Sequence, residues 1–249
     1  MQIMDESMLY QTIFKRKSVR KFDSSPLDQE TLTRITSQFS VVKPMFPGIR
    51  TEMRVMTSDE VRGMFKVDAP HFLAIFSEEK EGFLLNAGFM MQQMDLFLSA
   101  NGIGSCWQGG PKLTKRAKRV AGLEFVVLLA FGKPLEKVHR ESLSEFKRHP
   151  LSKITNITEK DDLIEPARLA PSGMNGQPWF FVNGNGAIKA YCHKSMIANH
   201  MNQISVGIAL SHIWLTARHF EKSAELAVDP SSSSGGPRRY TYAASLRVK

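Results

Sequence analysis

From Phe83 to Ala100 the chain is apolar on every face, with Asn86, Gln92, Gln93 and Asp95 among the few polar interruptions. The run is about long enough to cross a bilayer, yet those polar groups would have to be buried in lipid, so a helix inside a soluble core is the better reading. Asn101-Gly102 supplies residues suited to a left-handed cap at its end. Strands are predicted at Glu52 to Thr57 and His71 to Ser77. Glu124 to Phe131 is a continuous apolar run closed by Gly132-Lys133-Pro134, the pattern of a central strand. Ser25-Pro26, followed by Asp28 and Glu30, predicts a helix with Ser25 as cap, running to about Phe39. A short basic helix is predicted after Trp107.

The second part repeats this order. A helix is predicted from Asp161 to about Leu169, strands at Trp179 to Val182 and Ile188 to Cys192, and an apolar helix from about Gln203 to His219. Leu32 aligns with Leu163, Ala87-Gly88-Phe89 with Val206-Gly207-Ile208, and Leu96 with Leu215. The expectation is two similar halves, residues 1–153 and 154–249, joined through a linker near His149 to Thr158. Val228 to Pro237 is a low-complexity loop and Tyr240 to Val248 a final strand. A single duplication is not a repeat array, and a homodimer joined into one chain describes it better.

Composition narrows the class. A chain of 249 residues that is 42% apolar can bury a sizeable core. Met1 to Tyr10 carries Asp5 and Glu6 where a leader needs an apolar run, so export is not expected. Cys106 and Cys192 stand alone, without metal-ligand spacing, which points to no metal site, no disulfide framework and a reducing cytoplasm. The net charge of +9 is spread over three short clusters, Lys15 to Lys21, Lys112 to Arg119 and Lys147 to Lys153. None interleaves aromatic residues as a single-strand nucleic-acid platform would, so neither nucleic acid nor a membrane is the expected partner. A phosphate group explains the outer two clusters better than a solvated face does.

Two segments carry candidate chemistry. Arg16-Lys17-Ser18-Val19-Arg20-Lys21-Phe22 offers guanidinium forks and a hydroxyl for phosphate oxygens. In Ala170-Pro171-Ser172-Gly173-Met174-Asn175-Gly176-Gln177-Pro178-Trp179, prolines and glycines fix a turn while Asn175 and Gln177 carry amides suited to a ring edge or a polyol. Together these resemble the two signatures of FMN-dependent nitroreductases, Arg16-x-Ser18-Val-Arg20-x-Phe22 and Ala170-Pro-Ser-x-x-Asn175-x-Gln177-Pro-Trp179. The glycine-rich Gly102 to Gly110, the strand Val126 to Pro134, and Lys147-Arg148-His149-Pro150-Leu151 are similar to further segments of that family. One departure stands out: in the family the Ala-Pro-Ser segment follows the first helix, where this chain has Ser40 to Met53 without the motif.

The resemblance implies an α+β, three-layer α/β/α fold with mainly antiparallel sheets, and a flavin site shared between two subunits. In this chain the first half would contribute Arg16, Lys17, Ser18, Arg20, Trp107, Gln108, Gly109, Gly110 and Arg148, and the second Pro171, Ser172, Gly173, Asn175 and Gln177. Arg16, Ser18 and Arg148 would hold the FMN phosphate, with Arg238-Arg239 a rival for the last role. Arg20 would face the N1/O2 edge, and the Gly109 and Gly110 N–H groups N5 and O4, a plain turn being the alternative for the glycines. A second site would need an Arg-x-Ser signature before Asp161, where Ile154-Thr-Asn-Ile-Thr-Glu-Lys has none, so one site should survive in a monomer. The implied reaction takes a hydride from NADH or NADPH at flavin N5 and passes two electrons to a small acceptor such as a nitroaromatic or quinone. A non-catalytic FMN-binding protein is the alternative. Met174 and Ser40 to Gly48 could shape the acceptor pocket, and Cys106 reads as a small buried hydrophobe.

Overall fold

A computed structural model describes residues 4–118, 120–158, 161–184, 186–228 and 236–248. The helices are α1 (Glu6–Ile13), α2 (Gln29–Ser37), α3 (Phe83–Ala100), α4 (Asp161–Arg168) and α5 (Asn199–His219). The strands are β1 (Thr51–Thr57), β2 (Val61–Arg62), β3 (His71–Ser77), β4 (Gly104–Gln108), β5 (Lys112–Leu113), β6 (Glu124–Gly132), β7 (Trp179–Gly184), β8 (Ala187–His193), β9 (Ala224–Ala227) and β10 (Tyr240–Val248). They form two antiparallel four-stranded sheets, ordered β1-β3-β6-β4 and β7-β8-β10-β9, and a β2-β5 ribbon. The expected α+β class with mainly antiparallel sheets is what the chain adopts.

The two sheets share a register. His71 pairs with Phe131 as Ala187 pairs with Arg247, and Ser77 pairs with Glu124 as His193 pairs with Tyr240. Gly104 faces Gly132 as Ala224 faces Val248, so the fourth strand also matches. In both sheets the bulge falls on the strand made last, opposite Ile75/Phe76 in one and at Tyr242/Ala244 in the other.

Between them α3 and α5 cross at two glycines. A Cβ on Gly88 would lie 2.1 Å from the Ile204 carbonyl oxygen, and a Cβ on Gly207 would lie 2.1 Å from the Leu85 carbonyl oxygen. Each glycine therefore meets the residue three positions before the other, a reciprocal contact of the kind a two-fold axis produces. Both helices are buried almost all round, which explains why neither shows a polar face. Residues of both halves join one core, with Leu73, Phe89, Leu129, Phe181, Ile188 and Leu210 in a single apolar cluster.

The opposite face of the first sheet, with Phe72, Ala74, Phe76, Leu128 and Ala130, is covered by the β2-β5 ribbon and coil rather than by a helix. The basic helix expected after Trp107 is absent: Lys112-Leu113 pairs with Val61-Arg62, and Lys115 to Lys118 is a turn. Helix α2 is capped by Asp28, whose carboxylate accepts from the Thr31 N–H at 2.8 Å, and not by Ser25. Ser25 is three residues too early, and its own N–H donates to Asp23. Gly102 takes φ +73 beyond α3, the left-handed cap its sequence predicts. Helix α1, short and unremarked by pattern alone, is held by an Asp5 cap, an Arg218–Glu6 ion pair at 3.0 Å and Tyr10 stacked on His219. Most of the predicted loop Val228 to Pro237 lies outside the described residues.

Candidate functional site

The Arg16–Phe22 segment has no regular structure of its own and is fixed by its neighbours. Arg16 bridges to His139 and Phe22 to Pro134, the Val19 N–H donates to the Ser105 carbonyl, and the Arg140 N–H donates to the Lys15 carbonyl at 2.7 Å. The segment thus runs between β4 and the chain that leaves β6. Behind it stands Asp95 of α3, fully buried. It pairs with the Arg16 guanidinium at 2.7 Å and accepts from the Ser105 hydroxyl at 2.5 Å and the Trp107 indole N–H at 3.3 Å. A buried carboxylate with two hydrogen-bond donors and a guanidinium counter-charge is satisfied, and it ties Arg16 to Trp107. Arg16, 2% exposed, also donates to the Ser18 hydroxyl at 3.0 Å.

The second half contributes a strained turn. Met174, Asn175 and Gln177 all have positive φ, which non-glycine residues adopt only when the surroundings impose it. What imposes it is Arg148. Its guanidinium donates to the carbonyls of Leu169 and Ala170, each at 3.1 Å, and to the Asn175 side-chain oxygen at 2.6 Å. The Asn175 amide donates back to the Lys147 carbonyl at 2.8 Å, Gln177 accepts from the His149 N–H at 2.7 Å, and Ser172 accepts from the Gln177 N–H.

These elements meet around a cavity of about 840 Å3, within the range of small-molecule sites. On its wall stand Arg16, Lys17, Ser18, Arg20, Trp107, Gly109, Gly110 and Arg148 from the first half and Pro171, Ser172, Gly173 and Asn175 from the second. Most of the residues expected from sequence are thereby brought together, across the boundary between the halves. Two are not on the wall. Gln108 is buried, with its side-chain oxygen on the Val67 N–H, and Gln177 is buried within its turn. Both serve as braces, because a buried amide takes the nearest backbone partners. Arg238 and Arg239 do not line the cavity either.

Arg140 is the wall residue sequence reasoning missed. It stacks over the Phe146 ring at 4.0 Å and donates to the Arg16 carbonyl oxygen. Burial first, then the Arg16 guanidinium, pulls its pKa down to about 10, and burial followed by Arg16 and Arg140 does the same to Arg148. Both stay protonated at neutral pH, so a set of guanidiniums crowds one end of the cavity with Glu145 the one acid on its wall among the described residues. That end is built for an anion. No sequence motif points to Arg140; its only cue is its position a few residues past Gly132-Lys133-Pro134.

Cys106 also lines the cavity, but burial pushes its thiol up from the ordinary value despite the opposing pull of Arg20 and Arg16, so it stays a neutral thiol. Met201 of α5 fills the gap between the two glycine loops: its Cε lies 2.0 Å from where a Gly109 Cβ would be, and its Cγ 2.5 Å from a Gly173 Cβ. At Gly173 a Cβ would meet the inner part of that side chain, whereas at Gly109 the flexible Met201 methyl could move aside. No group of metal-ligating side chains occurs among the described residues, and no described helix is long and apolar enough to cross a membrane.

A family model described as "Putative TM nitroreductase" matches residues 8–217. The chain belongs to that nitroreductase family. Among solved structures, a "putative nitroreductase" of Thermotoga maritima (tm1586) is 21% identical, with a TM-score of 0.64 over 99% of this chain and 96% of that one. It therefore shares this fold from end to end. A nitroreductase family protein of Clostridium difficile 630 is 14% identical with a TM-score of 0.45, covering 61% of this chain and 97% of its own. An FMN-dependent nitroreductase of Clostridium difficile R20291 is 17% identical with a TM-score of 0.40, covering 58% of this chain and 96% of its own. No curated protein matches the sequence.

Proposed function

We propose that this nitroreductase-family chain binds FMN between its two halves and works as an NAD(P)H-dependent oxidoreductase of small acceptors such as nitroaromatics or quinones, in a reducing cytoplasm. The observation that carries the reading is the cavity itself. The Arg16–Arg20 segment, the Trp107–Gly110 loop and the Pro171–Asn175 turn, far apart in sequence, line one space with guanidiniums and glycine backbone on its wall. The residues present fit the cofactor: an anion-seeking end for a phosphate, and backbone that a flat ring can approach closely.

Bound there, a flavin supplies the two-electron chemistry that no side chain of the wall can. The chain does the rest. Arg16 and Ser18 hold the phosphate, Arg16 being aimed by Asp95. Arg140 takes the role expected of Arg148, whose donors are engaged in clamping the turn that carries Asn175. Arg20 provides a cation to the ring edge, and the Gly109 and Gly110 N–H groups offer it main-chain donors. Because both halves are already paired within one chain, we propose a monomer with one flavin, the two halves being related as fused subunits.

Purified protein should carry a flavin absorption band that bleaches on anaerobic addition of NADH or NADPH, with one FMN per chain in a monomer by sedimentation. A band that neither nucleotide bleaches selects a non-catalytic FMN binder, and a colourless chain that takes up no FMN overturns the reading. Arg140→Ala should weaken FMN roughly 10- to 100-fold, the loss of one charge-assisted contact of about 1.5 to 3 kcal/mol. Arg148→Ala should instead lower Tm.

A further inference from the structure

The cavity wall carries two kinds of side chain. Besides the guanidiniums, Met174 and Ile197 line it while being fully exposed, and Met201 lies against Gly109 and Gly173. Near Gly110, Met64 and Phe65 are also exposed, the Met64 carbonyl oxygen lying 3.8 Å from where a Gly110 Cβ would stand. Scattered exposed apolar residues are ordinary, but Met174 and Ile197 line the same cavity as Met201. Met174 is the telling case. Arg148 and Asn175 hold its turn at positive φ, and the side chain so presented packs on nothing. A strained turn that displays a large apolar group serves whatever enters the cavity rather than the core.

We propose that Met174, Ile197 and Met201 form a subsite for an aliphatic chain borne by a flat, uncharged aromatic acceptor, the ring lying inward and the chain along the rim. The proposal rests on the guanidiniums being taken by the flavin, which leaves the apolar side chains to the second substrate. A macromolecular partner fits less well, because these side chains line the same cavity as the guanidiniums rather than a separate flat patch. Methionine suits a chain of no fixed shape, being unbranched and adaptable.

The test is binding of 4-methyl-, 4-butyl- and 4-heptylphenol to the flavin-loaded protein, followed by calorimetry under anaerobic conditions, so that no turnover enters the readout. A fully buried methylene strengthens binding about four-fold, so a half-buried one should give about two-fold, and heptyl should bind roughly fifty-fold tighter than methyl. The double variant Met174→Ser, Ile197→Ser should keep the flavin band and reduce that gain to less than about five-fold. Affinity independent of chain length overturns the proposal, as does a full gain in the double variant. Failure of the flavin reading shows separately, as a protein without the band, and the chain-length series is still read by the same titration.

Discussion

The two halves build the same sheet and use it differently. Strand order and register agree from His71–Phe131 and Ala187–Arg247 onward, and Gly88 and Gly207 hold α3 and α5 in a reciprocal contact. Counting from those glycines exposes the divergence. Seven positions beyond Gly88 stands Asp95, which organises Arg16, Ser105 and Trp107, whereas seven beyond Gly207 stands Trp214, packed edge-on to Phe89. Six positions before Gly207 stands Met201, against Gly173; six before Gly88 stands Gly82, against Phe46. Large and small have exchanged places. Near Gly82 a space of only about 240 Å3 is found, lined by Glu81, Gly82, Leu85 and Val228 among others. The frame of each half is set by backbone pairing and glycine contact, which tolerate change in the side chains between, so matching positions can carry different side chains.

The sharpest way to break this contrast is at Asp95. Asp95→Asn leaves the Arg16 guanidinium buried without its counter-charge, which should cost about 3 to 5 kcal/mol in urea unfolding, together with FMN retention. Trp214→Phe, at the matching place in the other half, should cost far less and leave FMN bound. Equal losses from the two variants would mean that the halves do not differ in the way described.

Next in size is the axis itself. Gly88→Ala and Gly207→Ala each gain up to about 1 kcal/mol of helix propensity, but each puts a methyl 2.1 Å from a backbone oxygen that cannot swing aside. The helices must separate, at a net cost of about 1 to 3 kcal/mol, nearly the same for both. Because the two contacts share one interface, the double variant should be less costly than the two single effects together. A neutral Gly207→Ala beside a costly Gly88→Ala would break the two-fold relation between α3 and α5.

How much of this was legible follows from what each residue depends on. Strands β3 and β6 and helix α3 were readable, because apolar runs and the Gly102 cap are local signals. The Arg-x-Ser and Ala-Pro-Ser segments were legible through resemblance, and they do meet. Their inner division of labour was not. Asn175, Gln177 and Gln108 carry amides that looked free for a ligand, but only tertiary structure shows His149, Val67 and Arg148 already bound to them. Arg140 went unseen because its place depends on the pairing of His139 with Arg16, a contact across more than a hundred residues. The Lys112 to Lys118 stretch looked helical because its partner strand, Val61-Arg62, is too short to announce itself.

The effect smallest per pH unit separates the halves by titration. Five positions beyond the crossing glycines stand Gln93 and His212. Gln93 donates to the Lys43 carbonyl and cannot titrate. His212 is fully buried, with Nδ1 toward the Pro166 carbonyl at 2.8 Å and Nε2 beside the Gln92 amide nitrogen at 3.0 Å, so the neutral ring donates at Nδ1 and accepts at Nε2. Burial above all, helped by Arg16 and Arg148 and opposed by Pro166, takes its pKa down to about 3. The unfolded ring binds a proton near 6.5, so between about 6.5 and 3 the unfolded chain holds one proton more than the folded one. Stability from this group is therefore complete above about 6.5 and falls as pH drops through that window, by at most about 1.4 kcal/mol per pH unit. His212→Gln should remove that slope while Gln93→Asn, which adds no titratable group in the other half, should leave it. The measurement is the urea midpoint of each variant against wild type from pH 7 to 4. A wild-type slope unchanged in His212→Gln would show that the ring is hydrated and titrates as it does in the unfolded chain.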